Sequence, residues 1–524
     1  GVMKKLMTAL LALVFLGLAS AQTLVMGVSG YPSSLDSVDS QDGNSLVVSA
    51  QITERLVDFV PGGTDLVPSL ATEWSANEDA TVWNFKLREG VTFHDGTPFN
   101  AEAVKFNVDR WNDPSHPYSG RDQGKTFVPW GWVFGGPLGE GNLIAEVTVV
   151  DEYEVQFTLT QPAPFLPALW AAVYFQFDSP AAVMEHGVAY GTPAVGSVGT
   201  GPFKFVEWIE GERLVLERND DYWNGPANVE QLVFRGITEP TARLAELQAG
   251  TVDIAVLLSV DDLASVEADP NLQVAIPETE LNVGYIALHQ GNEPLDNPLV
   301  RQAIAHAIDR DAIIEAFYGG LGVTAQGFVP STMFGQPDPW PYTYDPERAR
   351  ELLAEAGFPD GFSTEFWYMP VSRPYYPAPQ PIAETIASYL ADVGIEVELM
   401  TEDWTTYLAD YQTGKFPMYM LGWNADYADP DNFLLTFFGP SAVTDLGWDD
   451  PETRDLLQQA RQVADQDVRA GLYAQVGNNV AEAVAMIPFA HNRTLNAMRS
   501  NISGWVPSPL GYSSVSLHSV TKAE

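Results

Sequence analysis

Leu87-Arg88-Glu89-Gly90-Val91-Thr92-Phe93-His94-Asp95-Gly96-Thr97-Pro98-Phe99-Asn100-Ala101-Glu102-Ala103-Val104 is the stretch on which the fold can be read. It opens at the end of a strand, because Trp83-Asn84-Phe85-Lys86-Leu87 alternates with period two, as a half-buried strand must. Asp95-Gly96 marks a turn, and Asn100 is placed to cap a helix that begins at Ala101. A strand end, a tight turn and a capped helix thus follow one another within one short segment.

The same pattern continues outward in both directions. Thr23-Leu24-Val25-Met26-Gly27-Val28 reads as an opening strand, followed by a loop from Ser29 to Asp39. Glu146-Val147-Thr148-Val149 and Glu154-Val155-Gln156-Phe157-Thr158-Leu159 form a hairpin around Asp151-Glu152. Asn297 caps and Pro298 occupies the first helical position of a helix within 296–320, with Val300, Ile304 and Ile308 along one face. Asp345-Pro346 repeats that start, with Leu352, Leu353 and Ala356 apolar and Gly357 as the stop. A helix with Ile382, Ile386 and Leu390 halts at Gly394 and feeds Ile395-Glu396-Val397-Glu398-Leu399. A helix over 240–249 ends at Gly250 and leads into Asp253-Ile254-Ala255-Val256 in the same way. These helix–glycine–strand units predict an α/β layered architecture. The stretch Pro114 to Gly141, rich in Gly, Pro and Trp, reads as an irregular excursion.

At 524 residues the chain is long enough for two to four domains. Its Lys+Arg count of 26 against 69 Asp+Glu gives a formal charge of −43, which repels phosphate backbones and excludes nucleic-acid binding. With 46% hydrophobic residues that acidity does not mean disorder; it is a solvated surface suited to a monomer. There is no cysteine, so disulfides, thiolate metal sites and cysteine nucleophiles are excluded. The seven histidines form no close HExxH-like pair, and the acids at 426–431 lack calcium-loop spacing, so no metal and no cofactor is expected. His94 and His491 read as structural histidines.

Met3-Lys4-Lys5, the apolar run Leu6 to Ala19 and Ala19-Ser20-Ala21 read as a cleavable export signal over residues 1–21. The run falls short of the roughly 20 apolar residues needed to cross a bilayer. With no cysteine after it, a lipid anchor is excluded, and no later segment reads as a span. The expected location is periplasmic or extracytoplasmic, without stable membrane insertion.

At several places the chain resembles the large solute-binding proteins of peptide/nickel-type ABC importers, family 5. The opening segment looks like that family's signature. The likeness continues through Val198-Gly199-Thr200-Gly201-Pro202-Phe203, Asn219-Asp220-Asp221-Tyr222-Trp223, the 296–320 helix with its Tyr318-Gly319-Gly320 ending, and Gly422-Trp423-Asn424-Ala425-Asp426-Tyr427-Ala428-Asp429-Pro430-Asp431-Asn432-Phe433. The resemblance implies a fold like the type II periplasmic binding proteins: two lobes with a hinge plus an extra inserted domain, the three-domain, cluster C arrangement. Lobe 1 would comprise 22–55, 191–280 and 489–524, the extra domain 56–190, and lobe 2 281–488. Partners implied are an ABC permease with its ATPase subunits.

The resemblance also implies a ligand. Dipeptide-binding members of the family carry Met-Pro-x-x-Arg-Pro-Tyr, and here Met369-Pro370-Val371-Ser372-Arg373-Pro374-Tyr375 matches it. By that match Arg373 would grip a peptide's C-terminal carboxylate and Asp426 its α-ammonium. Guanidinium pairs with carboxylate through two parallel hydrogen bonds, and an enclosed acid is the natural partner of an ammonium. An extended chain advances roughly 3.3–3.6 Å per residue, so fixed Arg and Asp positions act as a ruler. Trp423 and Tyr375 would wall the pocket, and Thr200, Gly201 and Ser29 would bring polar or backbone groups to it. Taken alone, a loop arginine is most often a surface ion-pair member, and Asp426 also suits capping of the turn at Asp429-Pro430. Asn424-Ala425-Asp426-Tyr427 resembles the oligopeptide branch instead, which leaves peptide length open. Oligosaccharide, a nickel complex or haem are the other ligands within the family. A secreted glycosidase or peptidase is a reading of another class, for which no GxSxG elbow or catalytic set stands out, so no catalysis is expected.

Overall fold

A computed structural model describes residues 22–139 and 141–524, so the export signal expected over residues 1–21 lies outside the described residues. Three sheets organise the chain. The first has seven strands in the order Leu272–Ala275, Leu495–Arg499, Ile254–Leu258, Thr23–Val28, Gln231–Gly236, Arg213–Arg218, Phe203–Ile209. Thr23–Val28 runs parallel to both its neighbours, and the outer strands are antiparallel. The helix Pro240–Ala249 crosses between two of these strands and stops at Gly250, whose φ of 81° a residue with a side chain rarely adopts.

A second, six-stranded sheet has the order Val323–Thr324, Met486–His491, Asn282–Leu288, Met418–Asn424, Phe362–Trp367, Ile395–Met400. Its central strand Asn282–Leu288 is buried at every position, as a strand covered on both faces must be. The four-stranded antiparallel sheet Ala71–Ala76, Val82–Leu87, Glu154–Leu159, Ile144–Asp151 is drawn wholly from the segment between the first two strands of the seven-stranded sheet. Each sheet packs on its own apolar core. The chain passes between the two large sheets twice, at 276–281 and 492–494.

The opening segment behaves as its residues dictate. The turn closes through Gly96 N–H donating to Phe93 O (2.9 Å) and Phe93 N–H to Thr97 O (2.8 Å). Asn100 accepts from Ala103 N–H (3.0 Å) and starts the helix Ala101–Asn112. His94 donates its backbone N–H to Gly199 O, and its ring bonds Gly201 O (2.9 Å). Burial lowers its pKa to about 4, so it is a neutral structural histidine.

Two expectations need correction. The 296–320 helix is two helices, Pro298–Ala307 and Arg310–Phe317. Asp309 breaks it by accepting from Ala312 N–H (3.0 Å) as a new cap, while extended Ile308 turns into the core. The excursion at 114–141 is not irregular throughout. It carries the helix Val128–Phe134, which buries Trp130 completely against Trp111, Phe134 and Trp170.

Candidate functional site

A cavity of about 600 Å³, within the roughly 300–1,000 Å³ of small-molecule sites, opens on the unit of the six-stranded sheet and is closed over by Trp132, Tyr174 and Gln41. Arg373 and Asp426 both line it. They arrive from separate elements of the six-stranded sheet, for reasons their neighbours make plain.

Arg373 stands in the loop after the strand Phe362–Trp367. Its backbone pairs twice with Tyr376, at 3.1 and 2.9 Å, which closes a tight turn. The aromatic pair that follows pins the turn. Tyr375 O accepts from the Tyr318 hydroxyl (2.7 Å), and the Tyr376 hydroxyl donates to Tyr285 O (2.9 Å). Asn492 donates to Pro374 O (2.6 Å). Tyr375 seats against Gly422, where a Cβ would stand 2.2 Å from its ring, so only glycine admits it. The guanidinium of Arg373 lies 5.0 Å from the Trp404 ring centroid and has no acidic partner among the described residues.

Asp426 follows the strand Met418–Asn424. Asn432, at the start of the helix Asp431–Phe438, organises this corner: its Oδ1 accepts from Asp426 N–H (2.7 Å) and from Trp423 Nε1 (3.1 Å). Of the three acids nearby, two are neutralised. Arg469 grips Asp429 with both terminal nitrogens (2.8 and 2.9 Å), and Arg461 pairs with Asp431 (2.9 Å). Asp426 alone of the three has no cation among the described residues. Burial raises its pKa to about 6 against a weak opposing bond from Asn432 (3.5 Å), although the side chain keeps some contact with solvent. One cavity therefore holds an unpaired guanidinium and an unpaired carboxylate, an arrangement suited to a zwitterion.

Trp423 and Tyr375 line this cavity as well. The other three expected site residues do not. Thr200 is buried with its hydroxyl donated to Glu54 (2.8 Å), which also accepts from Tyr222 (2.7 Å) and Trp223 (2.9 Å). Burial pushes Glu54 up to about 7 despite these three donors. Gly201 packs on the end of the helix Gly43–Ile52, where a Cβ would meet Gln51 O at 2.7 Å. These contacts hold both residues within the unit of the seven-stranded sheet, and the His94 ring on Gly201 O links Gly201 to the four-stranded sheet's unit. Ser29 donates to Asn44 Oδ1 (3.1 Å) on that same helix and does not line the cavity.

Sequence reasoning missed much of the wall. Trp132 and Tyr174 come from the unit of the four-stranded sheet, and Tyr285, Trp404, Tyr411 and Tyr419 from the six-stranded one. Gly422 and Asn424, which line the cavity, and Asn432, which holds Asp426 and Trp423, did carry a local signal through their place in the 422–433 motif. A second chamber of about 330 Å³ shares Asp426 and Asn424 and is lined by Glu280 at the chain crossing. Glu280 accepts from Thr494 N–H (2.7 Å), and burial raises it to about 7 against those bonds. Beside it Asn282 and Asn492 bond reciprocally (2.9 and 3.0 Å), tying the two crossings together.

Known proteins resemble this chain over nearly its whole length. The profile of the bacterial extracellular solute-binding proteins, family 5 Middle, matches residues 65–445. The dipeptide-binding protein of Escherichia coli K12 is 34% identical over 526 aligned residues, covering 97% of this chain and 96% of its own. Heme-binding protein A of Haemophilus influenzae is 36% identical over 478 residues, covering 88% and 86%. The crystal structure of a dipeptide binding protein from Pseudoalteromonas sp. SM9913 with Met-Leu superposes with a TM-score of 0.78 at 29% identity, covering 96% and 100%.

Proposed function

Since this chain belongs to the bacterial extracellular solute-binding proteins of family 5, we propose that it is the receptor through which an ABC importer captures dipeptides or short peptides. The observation that carries this reading is the pair of opposite charges without ion pairs, Arg373 and Asp426, on one cavity of the six-stranded sheet's unit. Arg373 takes the ligand's terminal carboxylate as a two-pronged donor, and Asp426 takes the α-ammonium. Trp423 and Tyr375 wall the ligand in. A short peptide supplies both charges at a fixed separation, so each charge taken from water meets a partner.

The capture would proceed by lobe closure. The seven-stranded unit (22–55, 191–280, 489–524) forms one lobe, 281–488 the other, and 56–190 an inserted domain. The crossings at 276–281 and 492–494 act as the hinge, and ligand contacts from both sides stabilise the closed form that the permease recognises. The protein binds without turnover, acts as a monomer outside the cytoplasmic membrane after removal of residues 1–21, and among its described residues no helix is long and apolar enough to cross a membrane.

Haem is the second reading, favoured by the aromatic walls and by a haem-binding relative. Native mass spectrometry of gently purified protein separates the two. A mass excess matching dipeptides is expected. An excess matching haem or hexose oligomers would overturn the peptide reading.

A further inference from the structure

The cavity is lined by one positive and two negative side chains, so a dipeptide held by Arg373 and Asp426 leaves one acid without a counter-charge. That acid is Asp445, the last residue of the short helix Ala442–Asp445. No basic side chain pairs with its carboxylate among the described residues. Its carboxylate takes a hydrogen bond from the Thr444 hydroxyl (3.2 Å) and another from the Ser441 side chain, and burial raises its pKa against both. The groups facing it are tyrosines. Tyr419 donates its hydroxyl to the Asp445 carbonyl (2.8 Å) and lies 5.8 Å from the Tyr411 ring. Tyr285, packed edge-on against Phe437 at 5.1 Å, completes that part of the wall. Tyr285 is only 4% exposed, yet its hydroxyl has no hydrogen-bond partner among the described residues and opens onto the cavity.

We infer that Asp445 with Tyr285, Tyr411 and Tyr419 forms a side-chain subsite for a cation, so that the preferred ligands are dipeptides carrying lysine or arginine. The inference rests on the dipeptide reading above and adds a substrate class to it. An ammonium or guanidinium here meets aromatic faces, a carboxylate and a free hydroxyl together. An apolar side chain in the same place strips water from the Asp445 carboxylate and gives nothing back. A dipeptide with one basic side chain also brings the cavity's charge to balance, which a plain zwitterion does not.

Calorimetric titration of the ligand-free protein with Ala-Lys and Lys-Ala, each against its norleucine counterpart, tests this. Norleucine keeps the four-carbon side chain and removes only the charge. At least one lysine peptide is expected to bind about tenfold or more tighter than its counterpart, and D445N is expected to reduce that ratio to within about twofold. Wild-type ratios near one in both orders would overturn the inference while leaving the dipeptide reading standing, as would a ratio unchanged in D445N. Binding of none of the four peptides would overturn the dipeptide reading and this inference with it. The wild-type ratios decide the matter even where D445N does not fold.

Discussion

Replacing Arg373 by alanine removes the guanidinium from the cavity while leaving the turn that carries it, because that turn is held by backbone pairing with Tyr376 and by the bonds at Tyr375 and Pro374. The guanidinium has no ion pair to lose, only its place near Trp404, so the free protein should lose about 1 kcal/mol or less. The ligand's carboxylate, in contrast, is left desolvated and unpaired. Truncating one member of such a pair costs on the order of 2–5 kcal/mol, which is about 30- to 4,000-fold in Kd. Titration calorimetry of Ala-Ala and its C-terminal amide against wild type and R373A isolates the interaction as a double-mutant cycle. The amide lacks the carboxylate, so R373A should weaken it far less than the free acid. An equal loss for both peptides, or no loss for either, would refute the assignment. R373K should fall between the two, since it keeps the charge without the paired geometry.

Asp426 starts from a pKa of about 6 in the free protein, and only its ionised form answers an ammonium. Dipeptide affinity should therefore weaken as pH falls through about 6, approaching tenfold per unit, and D426N should flatten the profile; an unchanged slope in D426N would count against the role. Glu280 holds its proton in the folded protein up to about 7 against an ordinary value of 4.5. Its contribution to stability is thus complete below 4.5 and lost as pH rises through 7, so E280Q should melt with a smaller drop in Tm between about pH 5 and 8, Glu54 accounting for part of the remainder. Asp36 is fully buried, and although burial opposes its charge, Arg110 and Lys125 hold its carboxyl well below the usual range. D36A strips buried Arg110 of its ion pair, leaves Lys125 only Asp39 at 3.8 Å, and should cost roughly 3–5 kcal/mol in denaturant unfolding; a loss near zero would contradict the buried pairing.

The parts of this molecule legible in its sequence are those governed by neighbours along the chain. Asn100, Asn297 and Asp345 cap helices at the expected places, and Gly250 and Gly394 end them, because capping and left-handed stops are local chemistry. Ile308 misled because its apolar spacing fits one continuous helix, whereas Asp309 offers a cap that the hydrophobic pattern cannot show. Trp130 looked like loop composition and proved to be core, since its burial depends on Trp111 and Trp170 far away in sequence. The same distinction divides the site. Arg373 and Asp426 were found through the motifs around them, and the structure brings both to one cavity. Thr200 and Gly201 also sit in a motif, but theirs packs on Glu54 and the end of the helix Gly43–Ile52, away from the cavity. Trp404, Tyr411 and Asp445 carry no local signal, because the wall they form is assembled only by the fold.

A crystal structure of the protein soaked or co-crystallised with a simple dipeptide tests the central claim most directly. The account predicts the peptide carboxylate about 2.7–2.9 Å from the Arg373 guanidinium and the α-ammonium at similar range from the Asp426 carboxylate, in the same closed chamber. A dipeptide bound with either end turned away from these two side chains would contradict it.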